Sequence, residues 1–213
     1  MNNAQKFIYW LDRKSPVFEK IELARANWFE SKFPLKEWFK NCQCILDIGA
    51  GVCDITAKMK KYTEGTVVGV DVEDFRRNGN KSSTMFEYCM ADAKFLPFKE
   101  KSLDCVTVLW TLHHIGNPIK VLDEIDRILT PNGRLIILED LVDNKLGFRG
   151  YFTRIYDKII NLEYASHPHS NMSLDGWNMM IKNKYGYTPV ELLEIPWFTK
   201  YHLLKFGLLR YVK

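Results

Sequence analysis

The sequence predicts an α/β fold: a doubly wound, mostly parallel seven-stranded sheet that ends in an antiparallel hairpin. Three observations predict it. Five short, almost continuously apolar runs occur between residues 44 and 140, helical patterns separate them, and a glycine-rich turn follows the first run. Such runs are typical of strands buried on both faces, and their alternation with helices is typical of βαβ units.

The N-terminal region, residues 1–40, is expected to form a helical cap beside the sheet. Residues 4–40 have a helical pattern and are rich in aromatic side chains. Ser15-Pro16 fits a helix start because proline suits the first helical position, and Pro34 interrupts the stretch that follows.

The apolar runs are expected to be the first five strands. They occupy residues 44–48, 66–71, 85–90, 103–110 and 134–140. Helices are expected between them at 54–62, 74–80 and 118–129. The last helix has Asn117 as a cap and Pro118 at its first position. Pro131-Asn132-Gly133 is expected to end it in a turn that leads into the fifth strand.

After residue 140 the pattern is looser. An aromatic, basic helix is expected at 147–162, a loop at 163–172 and a helix at 173–184 capped by Ser173. Strands at 188–195 and 199–212, joined by a turn at Pro196, are expected to form the final hairpin. The tail YHLLKFGLLRYVK could also be a membrane-surface helix, but its β-forming residues favour an edge strand.

Composition limits the class of protein. The chain has 213 residues, of which 46% are hydrophobic and 26% charged, and this excludes disorder, collagen-like repeats and a disulfide-stapled miniprotein. A single domain is expected, with the cap at 1–40 and the main part at 41–213, including a lid insertion at about 143–172. The five cysteines match no zinc or disulfide framework, and the N-terminus lacks the apolar core of a signal peptide. We therefore expect a cytoplasmic protein without a membrane span, as a monomer or homodimer.

The net charge of +4 is unevenly distributed. Residues 1–40 carry 8 basic and 5 acidic groups (+3), residues 41–144 carry 12 and 16 (−4), and residues 145–213 carry 10 and 5 (+5). An acidic centre suits a cationic ligand, and the basic ends suit an anionic ligand. There is no run of five or more Lys or Arg, so no nucleic-acid partner is expected.

The turn after the first strand, DIGAGVCD, is the most informative segment. A Gly-x-Gly turn between a strand and a helix lets a ligand approach the backbone closely. Asp54 stands where a dinucleotide site has its third glycine, and the segment lacks the P-loop pattern. Asp47 and Asp54, with no Lys or Arg nearby in the sequence, favour a cationic ligand.

The ends of the next three strands carry further candidate residues. Asp71 follows Gly51 by 20 residues, the placement of an acid that accepts ribose hydroxyls. The third strand runs into Ala91-Asp92-Ala93, and the fourth into Trp110-Thr111-Leu112-His113-His114. Ligands of open α/β sheets bind in the crevice at these carboxyl ends.

Together, LDIGAG, VVGVD, ADAKFLPF and SLDCVTVLWTLHHIGNPIKVLDEIDRILTPNGRLIILED resemble the class I S-adenosylmethionine-dependent methyltransferases, in particular the type 11, small-molecule branch. The resemblance covers residues 42–142 and extends loosely over 173–212. It implies a Rossmann-like methyltransferase fold, S-adenosylmethionine as cofactor and S-adenosylhomocysteine as product. The family often has a third glycine where this chain has Cys53.

The resemblance also implies a role for each matching position. The methionine part of the cofactor would lie against Asp47, Gly49, Ala50 and Gly51. The ribose would lie at Asp71 and Val72, and the adenine at Asp92 and Ala93. The methyl donor would lie near Trp110 and Thr111.

Candidates on the acceptor side come from the residues themselves. His113 or His114 could act as a general base, or could serve only in packing or capping. Side chains expected to contact the acceptor are Tyr9, Trp10, His114, Tyr151, His169 and Trp177. Trp177 is equally a candidate for the core. The histidines, which include His167, have no cysteine or carboxylate spacing typical of a metal site, so no metal is expected.

The function predicted from these features is methyl transfer to the oxygen or nitrogen of a small molecule by in-line displacement. One alternative is a methyltransferase-like binding module without catalysis, and another is an RNA or protein methyltransferase. A nicotinamide-dependent oxidoreductase is disfavoured by Asp54 and by the lack of a separate substrate domain.

Overall fold

The structure is a computed structural model that describes residues 16–141, 170–197 and 204–213. The α-helices are α1 (Pro16–Lys32), α2 (Leu35–Trp38), α3 (Asp54–Met59), α4 (Asn78–Lys81), α5 (Pro118–Ile128) and α6 (Leu174–Tyr185). Short 3-10 helices lie at Lys60–Tyr62 and Leu112–His114. The strands are β1 (Cys44–Ile48), β2 (Thr66–Asp71), β3 (Glu87–Met90), β4 (Leu103–Leu109), β5 (Leu129–Asp140), β6 (Thr188–Trp197) and β7 (Leu204–Val212).

The strands form one seven-stranded sheet in the order β3-β2-β1-β4-β5-β7-β6. The first five are parallel, and β7 is antiparallel to both β5 and β6. The predicted doubly wound sheet with an antiparallel C-terminal hairpin is confirmed. The strands β2 and β3 lie on one side of β1, and β4 and β5 lie on its other side. Because the strand order changes side at β1, the carboxyl ends of β1, β2 and β4 border a crevice.

Two apolar cores lie on opposite faces of this sheet. Alternate residues of each central strand enter different cores: Leu46 and Ile48 lie in one, and Ile45 lies in the other. The first core also contains side chains of α5 and α6, and the second those of α1, α2 and α3. Both faces of the central strands are therefore covered, which explains their nearly continuous apolar sequence.

Local caps agree with the sequence at two helices. The Asn117 side chain accepts a hydrogen bond from the Lys120 amide at the start of α5. The Ser173 side chain accepts one from the Gly176 amide at the start of α6. Both contacts satisfy backbone donors that the first turn of a helix leaves without partners.

Three expected boundaries are wrong. The turn at 131–133 lies inside β5, which starts at Leu129, because Asn132 and Gly133 exchange backbone hydrogen bonds with Lys213. Pro196 lies inside β6, which is an edge strand where a missing amide hydrogen is tolerated. The helix expected at 74–80 is the single turn of α4. The helix expected at 147–162 lies outside the described residues.

Among the residues that the structure describes, no helix is both long enough and apolar enough to cross a membrane.

Candidate functional site

The glycine turn between β1 and α3 is fixed to the end of β2. The amides of Gly49 and Ala50 both donate to the Val70 carbonyl, at 2.8 and 3.0 Å. Gly49 and Gly51 have φ values of 73° and 52°, and Cys53 has 63°. These left-handed conformations suit glycine and are unfavourable for a cysteine. Cys53 thus keeps the backbone shape of the position where the family often has glycine.

The two glycines are required for different reasons. A Cβ on Gly49 would lie 2.1 Å from Thr111 Oγ1, so the turn and the residue after β4 touch only because this side chain is absent. A Cβ on Gly51 would meet nothing within 4 Å. Gly51 therefore borders open space at the carboxyl edge of the sheet, as a turn that receives a ligand requires.

Asp71, at the end of β2, is bound to this turn. Its Oδ2 accepts a hydrogen bond from the Gly51 amide at 2.8 Å, and its Oδ1 accepts one from the Val72 amide at 2.7 Å. Each carboxylate oxygen has a second lone pair that can accept a hydroxyl proton. The 20-residue spacing in the sequence thus becomes a direct contact between the acid and the turn.

Asp47 is buried beneath the turn, with its two oxygens bound to two hydroxyls. Thr56 Oγ1 donates to Oδ2 at 2.6 Å, and Thr107 Oγ1 donates to Oδ1 at 2.8 Å. Burial raises the pKa of Asp47 to about 6, the two hydroxyls oppose the rise, and the Asp71 charge adds to it. Asp47 therefore supports the turn from below, and at neutral pH contributes negative charge next to Asp71.

The expectation that Asp54 has no basic neighbour is wrong. The segment after β2 folds back over the turn, so that the Arg77 guanidinium pairs with the Asp54 carboxylate. The Asn80 amide donates to Asp54 Oδ1 at 2.9 Å and to the Val52 carbonyl at 2.6 Å. Asp54 is a structural anchor for this segment, and its charge is compensated by Arg77.

The candidates for the adenine side lie at the ends of β2 and β3. Asp92 Oδ1 accepts from the Lys94 amide at 2.9 Å, and Oδ2 lies 3.2 Å from Lys94 Nζ. Ala93 packs against the first core, and Val72 is exposed. Asp92 therefore begins a local turn through these two contacts with Lys94.

The loop that follows Asp92 is held by α5. Arg127 donates to the carbonyls of Leu96 and Phe98 at 2.9 and 2.8 Å. Glu124 accepts from the Leu96 amide at 2.7 Å and pairs with Arg127. This brace fixes the position of the candidate adenine loop.

The segment after β4 is held mainly by a residue that the sequence did not reveal. Glu139 is fully buried at the end of β5. Its Oε1 accepts the amides of Thr111 and Leu112 at 2.9 and 2.6 Å, and its Oε2 lies 2.5 Å from His113 Nδ1. His113 is itself only 1% exposed. His113 therefore occupies a packing position, and its imidazole is not exposed to solvent as an expected general base would be.

The remaining candidates are dispersed. The Trp110 ring packs against Trp28 and Phe206, with ring centroids 6.2 and 5.4 Å apart, and the Arg25 guanidinium lies 5.2 Å above it. The His114 ring lies 3.9 Å from that of His113. Trp177 is fully buried in the first core, so it is a core residue and its expected contact with an acceptor finds no support. The expected acceptor contacts Tyr9, Trp10, Tyr151 and His169 lie outside the described residues.

Among the described residues, no group of three or more His, Cys, Asp or Glu side chains could hold a metal ion.

Part of the chain is similar to a known family. Residues 46–137, which begin within β1 and end within β5, match a family model described as a methyltransferase domain. This segment is therefore similar to methyltransferase domains. The class that the sequence resembles uses S-adenosylmethionine as methyl donor, and the crevice of this structure presents a glycine turn with acids at or near the ends of β1, β2 and β3.

The chain is similar to curated proteins and to solved structures. It is 34% identical over 104 residues to the ubiquinone/menaquinone biosynthesis C-methyltransferase UbiE of Teredinibacter turnerae, a match that covers 45% of this chain and 42% of the relative. The chain thus spans less than half of the length of that relative.

Two solved structures share the fold of this chain. One, from Bacillus halodurans, is described as a candidate methyltransferase; it has a TM-score of 0.68 at 16% identity and covers 90% of this chain and 98% of its own. The other is a Haloferax volcanii methyltransferase candidate in complex with the activator Trm112, with a TM-score of 0.65 at 15% identity, covering 91% and 94%.

Proposed function

We propose that the protein is an S-adenosylmethionine-dependent methyltransferase that acts on a small-molecule acceptor. The observation that carries the proposal is the bond between Asp71 and the Gly51 amide, which joins a candidate ribose-binding acid to the open glycine turn. The match of residues 46–137 to a methyltransferase domain supports the same activity.

The residues of this chain would bind and orient the donor. When bound, S-adenosylmethionine supplies a methyl group activated by its sulfonium. Asp71 would accept hydrogen bonds from the ribose hydroxyls, and Asp92 would accept one from the adenine amino group. The negative charge of Asp47 would favour the cationic methionine part of the donor. Alignment of donor and acceptor and exclusion of water supply most of the rate enhancement expected for such a displacement.

The acceptor is proposed to be a small anionic molecule that is methylated on oxygen or nitrogen. The charge of +5 on residues 145–213 supports the anionic character. The curated relative is a C-methyltransferase by name, which adds carbon as a third candidate acceptor atom.

A second candidate function is cofactor binding without catalysis. It is favoured by the burial of His113 and its contact with Glu139, which leave this expected base inaccessible. In-line methyl transfer to a good nucleophile often needs no strong base, so catalysis remains the primary proposal.

Transfer of a labelled methyl group separates these functions. The protein is incubated with methyl-labelled S-adenosylmethionine and a cell extract that has been separated into small molecules, RNA and protein. We expect label in the small-molecule fraction, and none with Gly49→Ala, because its Cβ would clash with Thr111. Label only in RNA or protein would contradict the proposed acceptor class. Tight cofactor binding with no labelled product would favour the binding module.

A further inference from the structure

A single buried carboxylate organises the turn that follows β4. Glu139 accepts hydrogen bonds from two consecutive amides, those of Thr111 and Leu112, and contacts the His113 ring. A fully buried carboxylate is unfavourable unless several donors surround it. These three contacts supply the donors and bind the end of β5 to the turn.

The sheet brings these groups together. Leu109 on β4 pairs with Leu138 on β5, and the Trp110 amide donates to the Leu138 carbonyl at 2.6 Å. Glu139 therefore lies beside the first residues after β4, at the carboxyl edge where ligands of such sheets bind. Trp110 has a φ of 50°, which directs the chain sharply away from the strand at this point.

The turn contacts the glycine turn directly. Thr111 Oγ1 occupies the space next to Gly49 and donates to the Leu109 carbonyl at 2.9 Å. A continuous path of contacts thus runs from Glu139 through the Thr111 backbone to the glycine turn. A movement of residues 110–114 would change the shape of the candidate donor site.

We propose that Glu139 is a positioning residue of the methyl-transfer site: it fixes residues 110–114 against the glycine turn. This inference rests on the proposed function for its role in methyl transfer. The fixing of the turn itself depends only on the fold.

The same contact assigns a tautomer to His113. A carboxylate can only accept, so Glu139 Oε2 requires the proton of the imidazole on Nδ1. Nε2 then carries the lone pair of the ring and lies 3.9 Å from Asp140 Oδ2. His113 therefore joins the turn to Glu139 through Nδ1.

Three variants test the inference. Glu139→Leu removes every acceptor, whereas Glu139→Gln keeps one oxygen for the two amides and places an NH₂ group towards His113. Tyr187→Phe is the control, since it removes a different, partly buried contact, the 3.0 Å hydrogen bond to Asp126. Three measurements are made on each: exchange of the Thr111 and Leu112 amides, the ¹⁵N shifts of His113, and affinity for S-adenosylhomocysteine by calorimetry.

For Glu139→Leu we expect amide protection at Thr111 and Leu112 and affinity for S-adenosylhomocysteine to fall about tenfold or more. Glu139→Gln should restore both, yet move the His113 proton to Nε2, a change that loss of stability alone would not cause. Tyr187→Phe should alter none of the three. Wild-type protection and affinity in Glu139→Leu would overturn the inference, as would an unchanged tautomer in Glu139→Gln.

If the wild-type protein binds no S-adenosylhomocysteine, the proposed function fails and with it the role of Glu139 in methyl transfer. Exchange and tautomer in the ligand-free protein still decide whether Glu139 fixes the turn. The failure of the function and the failure of the inference therefore give different results.

Discussion

At the scale of single residues, Asp47 shows how a buried charge beside a candidate ligand site reduces stability. Its side chain lies on the same face of the sheet as Ile45, which the second core covers. Its carboxylate accepts hydrogen bonds from the hydroxyls of Thr56 and Thr107. Burial favours the neutral acid, so the folded protein binds this proton more tightly than the unfolded chain does. The charged form that would attract a cationic cofactor is kept at a cost in stability.

The pKa of Asp47 predicts a specific pH dependence. Its contribution to stability is greatest below pH 4 and is lost as the pH rises from about 4 to about 6. Asp47→Asn should remove this loss. The free energy of unfolding of the variant, minus that of the wild type, should therefore rise as the pH goes from about 4 to about 6. A rise in pKa from 3.8 to about 6 corresponds to about 3 kcal/mol. Urea unfolding at several pH values measures it.

Thr107→Val is the matched control for Asp47→Asn. It removes a hydroxyl that favours the charged carboxylate, so it should move the window to higher pH. The same pH dependence in wild type and in Asp47→Asn would show that another group is responsible.

At the scale of elements, Arg77 joins three parts of the chain. Its guanidinium contacts Asp54 at the start of α3 and lies 2.9 Å from Glu19 on α1. The Asp54 side chain is 12% exposed, whereas the Glu19 side chain is 60% exposed. The contact with Asp54 is the stronger, because an exposed ion pair contributes little.

This difference predicts unequal effects of two substitutions. Arg77→Leu leaves Asp54 largely buried without its cation and should lower the free energy of unfolding by about 1–3 kcal/mol. Glu19→Gln should lower it by less than about 1 kcal/mol. Adding Asp54→Asn to Arg77→Leu should recover part of the loss. Equal effects of Arg77→Leu and Glu19→Gln in urea unfolding would contradict this account.

At the scale of the whole molecule, the sheet followed from the sequence because strands buried on both faces are apolar throughout. The glycine turn and Asp71 were predictable for a similar reason, since one βαβ unit sets their spacing. Arg77 and Glu139 were not, because their contacts join segments far apart in the sequence: Arg77 reaches Glu19 58 residues away, and Glu139 reaches Thr111 28 residues away. No local pattern encodes such contacts.

The same reasoning explains the errors at two boundaries. Pro131 and Pro196 were interpreted as turns from local propensity, but tertiary pairing places both in strands. Because of their chemistry, His113 was a candidate general base and Trp177 a candidate contact of the acceptor. Their burial depends on the packing of β5 and α6, which the residues near them do not specify.

The central claim is that Asp71 and the glycine turn bind the cofactor, and binding of S-adenosylhomocysteine to two matched variants tests it most directly. Asp71→Asn alters an aspartate that accepts two backbone amides at the carboxyl edge of the sheet. Asp104→Asn alters one that accepts the amides of Gln43 and Cys44 at the opposite edge. Both substitutions replace an aspartate that accepts two backbone amides, but they lie at opposite edges of the sheet.

Calorimetry should show that wild type and Asp104→Asn bind S-adenosylhomocysteine with similar affinity, and that Asp71→Asn binds it about tenfold or more weakly through lost ribose contacts. Absence of binding by the wild-type protein, or equal affinity in both variants, would contradict the account.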